Sequence, residues 1–339
     1  MDSVRHSGRV LAVVCPGQGS QSPGFLTPWL DLPGARDRLD EFSEVSGIDL
    51  ATHGTTSDAD TIRDTAVAQP LIVSASLIAL RAILDERAAA DVVGVTAGHS
   101  VGELTAAAVA GVLDDGAAVA LVSERARSMA RASALRPTGM SAVLGGEPAD
   151  VLAAIERAGL YPANVNSAGQ VVAAGDLDGL AALAADPPAR ARVIPLQVAG
   201  AFHTPFMEPA RAEFSTVVAE WRAADPVLPL LSDADGAAYA ASGTRHGAGR
   251  DVLERLVAQV VEPVRWDLCQ GTLAAMGVTA LVELLPGGVL TGLARRTLPG
   301  VETVAVTSPD DLVAARDLIR RHGASADAAT GVPTKEAQA

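Results

Sequence analysis

The chain is almost devoid of lysine: Lys335 is the only one, and arginine carries nearly all of the positive charge. We read that as a compositional bias rather than a functional one. Basic residues are also outnumbered, 26 to 40, giving a net charge of −14. With no basic run, the chain is a poor partner for nucleic acid or an anionic membrane surface. Aromatic residues make up only 3%, too few for a base-stacking surface. The two cysteines, Cys15 and Cys269, are far apart and lack CxxC spacing, which argues against a disulfide framework or a structural zinc site. The six histidines are scattered and form no HxxxH or HExxH pair, so no metal ligand set is visible and no resident cofactor is expected. Arg5, His6 and Arg9 precede the apolar run Val10–Val14, but that run is too short for a signal segment and leads into a glycine-rich turn. No apolar stretch reads as a membrane span. The expectation is a soluble, cytoplasmic protein.

What is present is a 339-residue chain with 49% apolar residues, enough for a large core built on alanine, valine and leucine. Strand-like and helix-like segments alternate, which predicts an α/β fold with a parallel sheet core. Val10–Val14 and Val92–Ala97 read as buried strands, and Gln69–Leu84 as a helix. Asp114 or Asp115 is placed to cap a helix running to about Ala132. Residues 137–199 read as a self-contained βαββαβ unit, the ferredoxin-like order. Its strands are expected at Met140–Leu144, Ala163–Ser167, Gln170–Ala174 and Arg192–Val198, and its helices at Ala149–Ala158 and Leu177–Ala185. Residues 9–136 and 200–320 form the larger subdomain in this reading. There, Thr204-Pro205 opens a helix to about Ala223, Val227–Ser232 is extended, and helices follow at Asp251–Val260 and Asp267–Met276. Thr279–Leu284 is a strand. Residues 1–8 and 323–339 read as flexible tails.

The sharpest motif is Gly98-His99-Ser100-Val101-Gly102, a GxSxG element with a buried strand before it and a helix after it. A serine on such a turn is exposed at a helix N-terminus, where free N–H groups can stabilise an oxyanion. A nucleophilic serine needs a base. His203, in Gly200-Ala201-Phe202-His203-Thr204-Pro205, follows a strand and precedes a helix, and is the best candidate. His99 adjoins the serine but should point away on so tight a turn. Arg125 falls on the apolar stripe of its helix with Ala118, Leu121, Val122 and Met129, and no carboxylate lies three or four residues away. A cation on that face needs a counter-charge, either a distant acid or a ligand anion. Gly17-x-Gly19 is a poor dinucleotide fingerprint, because Ser22 occupies the third glycine position. It reads better as a turn beside the serine, offering a second oxyanion donor.

Taken together, these residues resemble the malonyl-CoA:acyl carrier protein transacylase family. The matching stretches are Pro16-Gly17-Gln18-Gly19-Ser20-Gln21, Gly98 to Glu103, Glu124-Arg125, Asn164-x-Asn166-Ser167 through Gln170, and Gly200 to His203. Gln259 before Pro263-Val264-x-Trp266, and Glu283-x-x-Pro286-Gly287-x-x-Leu290, complete the series in family order. The resemblance implies an α/β-hydrolase-like large subdomain with an inserted ferredoxin-like one. It implies Ser100 as nucleophile, His203 as base and Arg125 as the grip on a malonyl carboxylate. It further implies an oxyanion hole from the N–H groups of Gln18 and Val101, and a backbone carbonyl at Gln259 orienting the histidine in place of an acid. Phe202 resembles the version associated with malonyl over methylmalonyl, and Asn166 falls among the substrate-binding positions. Ala126 departs from the pattern, where glycine is common. The implied reaction is ping-pong transfer of malonyl from malonyl-CoA to the phosphopantetheine thiol of acyl carrier protein, for fatty acid or polyketide synthesis, by a monomer without metal or cofactor. Alternatives are a polyketide acyltransferase of other acyl specificity, a serine esterase or thioesterase, and a non-catalytic carrier-binding subunit. An acidic partner would need a local basic patch; Arg190 with Arg192, or Arg295 with Arg296, are candidates.

Overall fold

The computed structural model describes residues 9–239 and 248–323. The expected arm at 1–8, the tail beyond Gly323, His6, His246 and Lys335 lie outside the described residues.

Two four-stranded sheets organise the chain. The first is wholly parallel, in the order β2 (Val95–Gly98), β1 (Leu11–Cys15), β7 (Ala280–Glu283), β8 (Glu302–Ala305). Of its central strands, β1 is a continuous apolar run and β7 is apolar up to its last residue, Glu283, because both faces are covered. Period-two alternation splits β1 between two cores. Leu11, Val13 and Cys15 pack with the long helix Thr65–Leu84, while Ala12 and Val14 pack with Trp266, Leu273 and Leu290 on the other face. Both cysteines are buried and free.

The second sheet is antiparallel, in the order β4 (Tyr161–Ser167), β5 (Gln170–Asp176), β3 (Thr138–Gly145), β6 (Ala191–Pro195). Helices Pro148–Arg157 and Leu177–Ala185 connect it and share its own small core around Ile155, Ala173 and Leu183. This is the ferredoxin-like order read from the sequence. Its opposite face turns Met140, Ala163 and Val172 toward the main core. Val165 N–H donates to Val264 O at 2.8 Å and Val264 N–H to Ala163 O at 2.9 Å, tying β4 to the larger unit.

Several expectations shift. Helix Thr65–Leu84 is, by length and composition alone, apolar enough to cross a membrane; the sequence reading missed this because Gln69, Pro70 and the serines interrupt the run. The helix is instead largely buried inside the protein. Strand β2 starts at Val95 rather than Val92, because Ala89–Val92 forms a helical turn ahead of Gly94. The Val227–Ser232 segment makes only two isolated bridges, parallel from Leu230 to Thr96 and antiparallel from Leu231 to Ala238, since Pro226 and Pro229 cannot donate to a ladder. The helix after Thr204 ends at Ala219. Helices Ala35–Ser46 and Leu50–Thr55, to which the reading assigned nothing, are punctuated by left-handed Gly34 and Gly47 and by the Asp49 cap on Thr52 N–H.

Candidate active site

Strand β2 ends at Gly98 and helix Gly102–Val109 begins four residues later. The chain reverses through Ser100 at φ +54°, in the left-handed region. Only glycine fits on either side. A Cβ on Gly98 would lie 2.0 Å from the Gly102 carbonyl carbon, and one on Gly102 would lie 2.2 Å from Cys15 O. The resulting strain is confined to the residue that presents its hydroxyl.

That hydroxyl lies 2.7 Å from Nε2 of His203. His203 also has a positive φ, +60°. It is fixed from both sides, by Ala201 N–H donating to Thr138 Oγ1 at 2.9 Å and by Thr204 capping the turn at Pro205. Nδ1 donates to the carbonyl of Gln259 at 2.8 Å, which leaves Nε2 as the acceptor facing the serine. Burial, and then the nearby Arg125 cation, push the imidazolium pKa down to about 3, so the ring is neutral around pH 7.

Arg125 is fully buried in helix Asp115–Ala134, which Asp114 caps. Nη1 donates to Gln69 Oε1 at 2.6 Å and Nη2 to Gln259 Oε1 at 2.7 Å. Nη2 is also 3.5 Å from Ser100 Oγ, and Nε has no partner. Among the described residues, no carboxylate reaches ion-pair distance of this guanidinium. Its acceptors are neutral amide oxygens. Burial lowers its pKa to about 10, against the pull of Glu103 and Asp233, so it stays charged near neutrality.

Those two acids sit behind the serine. Asp233 Oδ2 accepts Ser100 N–H at 2.6 Å, and Glu103 Oε1 accepts Asp233 N–H at 2.7 Å. The Gln259 amide donates to Ser100 O at 3.0 Å and to Glu103 Oε2. Gln259 thus separates the cation from the acids. Burial raises both carboxyl pKa values, that of Glu103 to about 7.

Gln18 and Val101 flank the serine and line the same cavity of about 440 Å³. Neither backbone N–H has a partner among the described residues. The Gly17 turn touches the elbow closely: a Cβ there would lie 2.9 Å from His99 Nδ1. His99 turns away from Ser100, as expected, and its Nε2 meets Asn166 Oδ1 at 2.8 Å. Asn166 therefore reaches the cavity wall with that oxygen already engaged. Phe202 lines the cavity beside His203, and Ala126 is buried. Arg192, Arg295 and Arg296 are exposed, and Arg190 pairs with Glu147 at 3.0 Å.

Sequence reasoning assigned nothing to Gln69, Glu103, Asp233 or the side chain of Gln259. Glu103 carried a signal, an acid in the first turn of the helix after the serine. Gln69 and Asp233 carried none, because tertiary packing alone brings them to Arg125 and Ser100.

Residues 12–315 match the family of the acyl transferase domain. The chain belongs to the acyl transferase family. It is therefore an acyltransferase, and its α/β layout is that of solved relatives. A malonyl CoA-acyl carrier protein transacylase of Mycobacterium tuberculosis H37Rv is 50% identical over 303 residues, covering 89% of this chain and 98% of the relative. One from Escherichia coli K12 is 32% identical over 314 residues, covering 91% and 99%. The crystal structure of MCAT from Mycobacterium tuberculosis superposes with a TM-score of 0.84 at 49% identity, covering 91% of this acyltransferase and 99% of that chain.

Proposed function

We propose that this acyltransferase moves a malonyl group from malonyl-CoA to the phosphopantetheine thiol of an acyl carrier protein through a malonyl ester on Ser100. The names of its relatives supply the substrates. The observation that carries the reading is Arg125: a buried cation, 3.5 Å from the serine hydroxyl, whose contacts are all neutral. A hydrolase of neutral esters has no use for it, whereas a guanidinium fork matches a carboxylate with two parallel hydrogen bonds.

In the first half-reaction His203 Nε2 takes the Ser100 proton as Oγ attacks the thioester carbonyl. The N–H groups of Gln18 and Val101 receive the oxyanion. The C–S bond breaks, and the proton passes from His203 to the leaving CoA sulfur. In the second, His203 takes the carrier thiol proton, sulfur attacks the ester, and the proton returns to Ser100 Oγ. The Gln259 carbonyl holds the imidazole in place throughout. No step calls on a metal or cofactor.

The depressed pKa of His203 gives the malonyl carboxylate a second role. Arg125 is the largest cause of that depression after burial. A carboxylate on the guanidinium neutralises this cation, so the correct acyl group makes the imidazole a stronger base as it is needed. Held by Arg125, the acyl chain is also oriented for transfer and leaves little room for water. Phe202, beside the histidine, is placed to discriminate against an α-methyl branch, a difference worth about 1–3 kcal/mol.

The same proposal includes residues 137–199 as an inserted subdomain, a cytoplasmic monomer, and a product that feeds fatty acid or polyketide chain extension. Intact-mass measurement after mixing with malonyl-CoA, methylmalonyl-CoA and acetyl-CoA in turn tests it. A malonyl adduct that disappears in Ser100→Ala is expected. A hydrolysed thioester with no adduct would favour the esterase.

A further inference from the structure

The cavity leading to Ser100 has a distinctive lining. Carboxamides dominate its polar groups, among them Asn164, Asn166, Gln170 and Gln197. Among the described residues that line it there is no carboxylate, and Arg63 is the one permanent cation. In a chain of net charge −14 that pairing is selective. Arg63 ends the short turn Thr61–Arg63, and this turn is fastened to the loop beside the serine. Gln18 Nε2 donates to Arg63 O at 3.2 Å, and Gln21 Nε2 donates to Ile62 O at 2.9 Å. The Arg63 side chain is 40% exposed and that of its ionic partner, Asp60, is 92% exposed. An ion pair so open to water contributes little, so the cation is readily given up to a better anion.

We infer that Arg63 is a phosphate-binding residue at the mouth of the cavity, which takes a phosphate of the thiol carrier while the carboxamides accommodate its uncharged, amide-containing arm. The inference rests on the proposed function, which supplies a carrier of that chemistry. Coenzyme A carries a pyrophosphate and a 3′-phosphate; the prosthetic arm of a carrier protein carries one phosphodiester. Both present a phosphate beyond a stretch of amides, and the cavity lining combines carboxamides with this one part-exposed cation. A guanidinium at a water-exposed rim binds a phosphate by paired charge-assisted hydrogen bonds without dehydrating it fully.

The test compares malonyl-CoA with malonyl-pantetheine, which has the same arm and no phosphate. In Arg63→Gln the ratio of kcat/KM for malonyl-CoA to that for malonyl-pantetheine is expected to fall about tenfold, as for loss of one charge-assisted contact. Arg63→Lys should restore part of that ratio. An unchanged ratio in Arg63→Gln, whether both donors suffer equally or neither does, overturns the inference. The KM for holo carrier protein tells the sources apart. A rise there as well assigns the phosphate next to the pantetheine arm, and a rise for CoA alone assigns the nucleotide phosphates. The malonyl adduct on Ser100 formed from malonyl-pantetheine reports the transfer chemistry independently, so a failure of the proposed function is recognised separately.

Discussion

The carboxylate of Asp233 accepts the backbone N–H of Ser100 at 2.6 Å, so a buried acid holds the peptide of the GxSxG serine in place. Its neighbour Glu103 accepts the N–H of Asp233 in turn. Both carboxyl pKa values are raised, chiefly by burial, although Arg125 pulls each of them down and Arg255 does so for Glu103.

This pair has a pH signature. A carboxyl group whose folded pKa exceeds its unfolded value keeps its proton longer in the folded chain. Its stabilising contribution is complete below the unfolded value and is lost as pH rises through the folded one. For Glu103 that window runs from about 4.5 to about 7. Across most of that window the buried neutral His203, whose folded pKa is depressed to about 3, contributes more stability as pH rises and offsets the acids. The acid pair is therefore read from the difference between the urea midpoints of the wild type and Asp233→Asn, which should shift in favour of the variant as pH rises. Asp233→Asn keeps an acceptor for Ser100 N–H and removes one buried negative charge, so it is spared part of the acids' loss. Asp233→Ala leaves that N–H unpaired and should cost about 1–3 kcal/mol at any pH. Parallel curves for the wild type and Asp233→Asn would show that the pair does not titrate in this range.

Arg125 sets a second pH dependence. Removing it takes away a cation that depresses His203. The imidazolium pKa therefore rises in Arg125→Ala, and the acidic limb of kcat/KM moves to higher pH. Acetyl-CoA is the donor to use, because it has no carboxylate to lose. Malonyl transfer should fall by about a hundredfold or more in the same variant, the size expected for a buried carboxylate contact. An acidic limb that stays where it is in the wild type would remove Arg125 from the electrostatics of the base.

Gln69 offers a sharper test of the carboxylate grip. Its amide oxygen takes Nη1 of Arg125 at 2.6 Å. Gln69→Glu places a carboxylate there, supplying from within the counter-charge otherwise left to the acyl group. Malonyl kcat/KM should fall about tenfold to a hundredfold, with acetyl less affected. Equal losses for both donors would point to a distorted site rather than a satisfied cation.

Much of this was legible in the sequence. The GxSxG turn, with a strand before it and a helix after it, located Ser100 because Gly98 and Gly102 can approach backbone so closely only without a Cβ. Arg125 was legible from its place on an apolar stripe, and the ferredoxin-like unit from strand and helix order. What remained hidden depends on distance in sequence. The carbonyl of Gln259 toward His203 was expected only through the family resemblance, and its side chain toward Arg125 was not expected at all, because nothing local separates it from any other glutamine at a helix end. Asp233 follows directly on the Val227–Ser232 segment, whose prolines kept it from pairing as a continuous strand. The long helix Thr65–Leu84 was underrated because occasional polar residues hide a surface buried on almost every side.

Ser100, His203, Arg125 and Gln259 all belong to the portion of the chain built around the parallel sheet. Met140, Ala142 and Val172, which line the same cavity as Ser100 and His203, come from the antiparallel one. The cleft is thereby assembled from both sheets: one portion carries the serine, the imidazole and the guanidinium, and the other adds apolar wall at those three positions. Enlarging or filling that wall alters which acyl chains are admitted while the serine–imidazole contact stays intact. Redesign of this transferase for bulkier extender groups therefore begins at those three side chains.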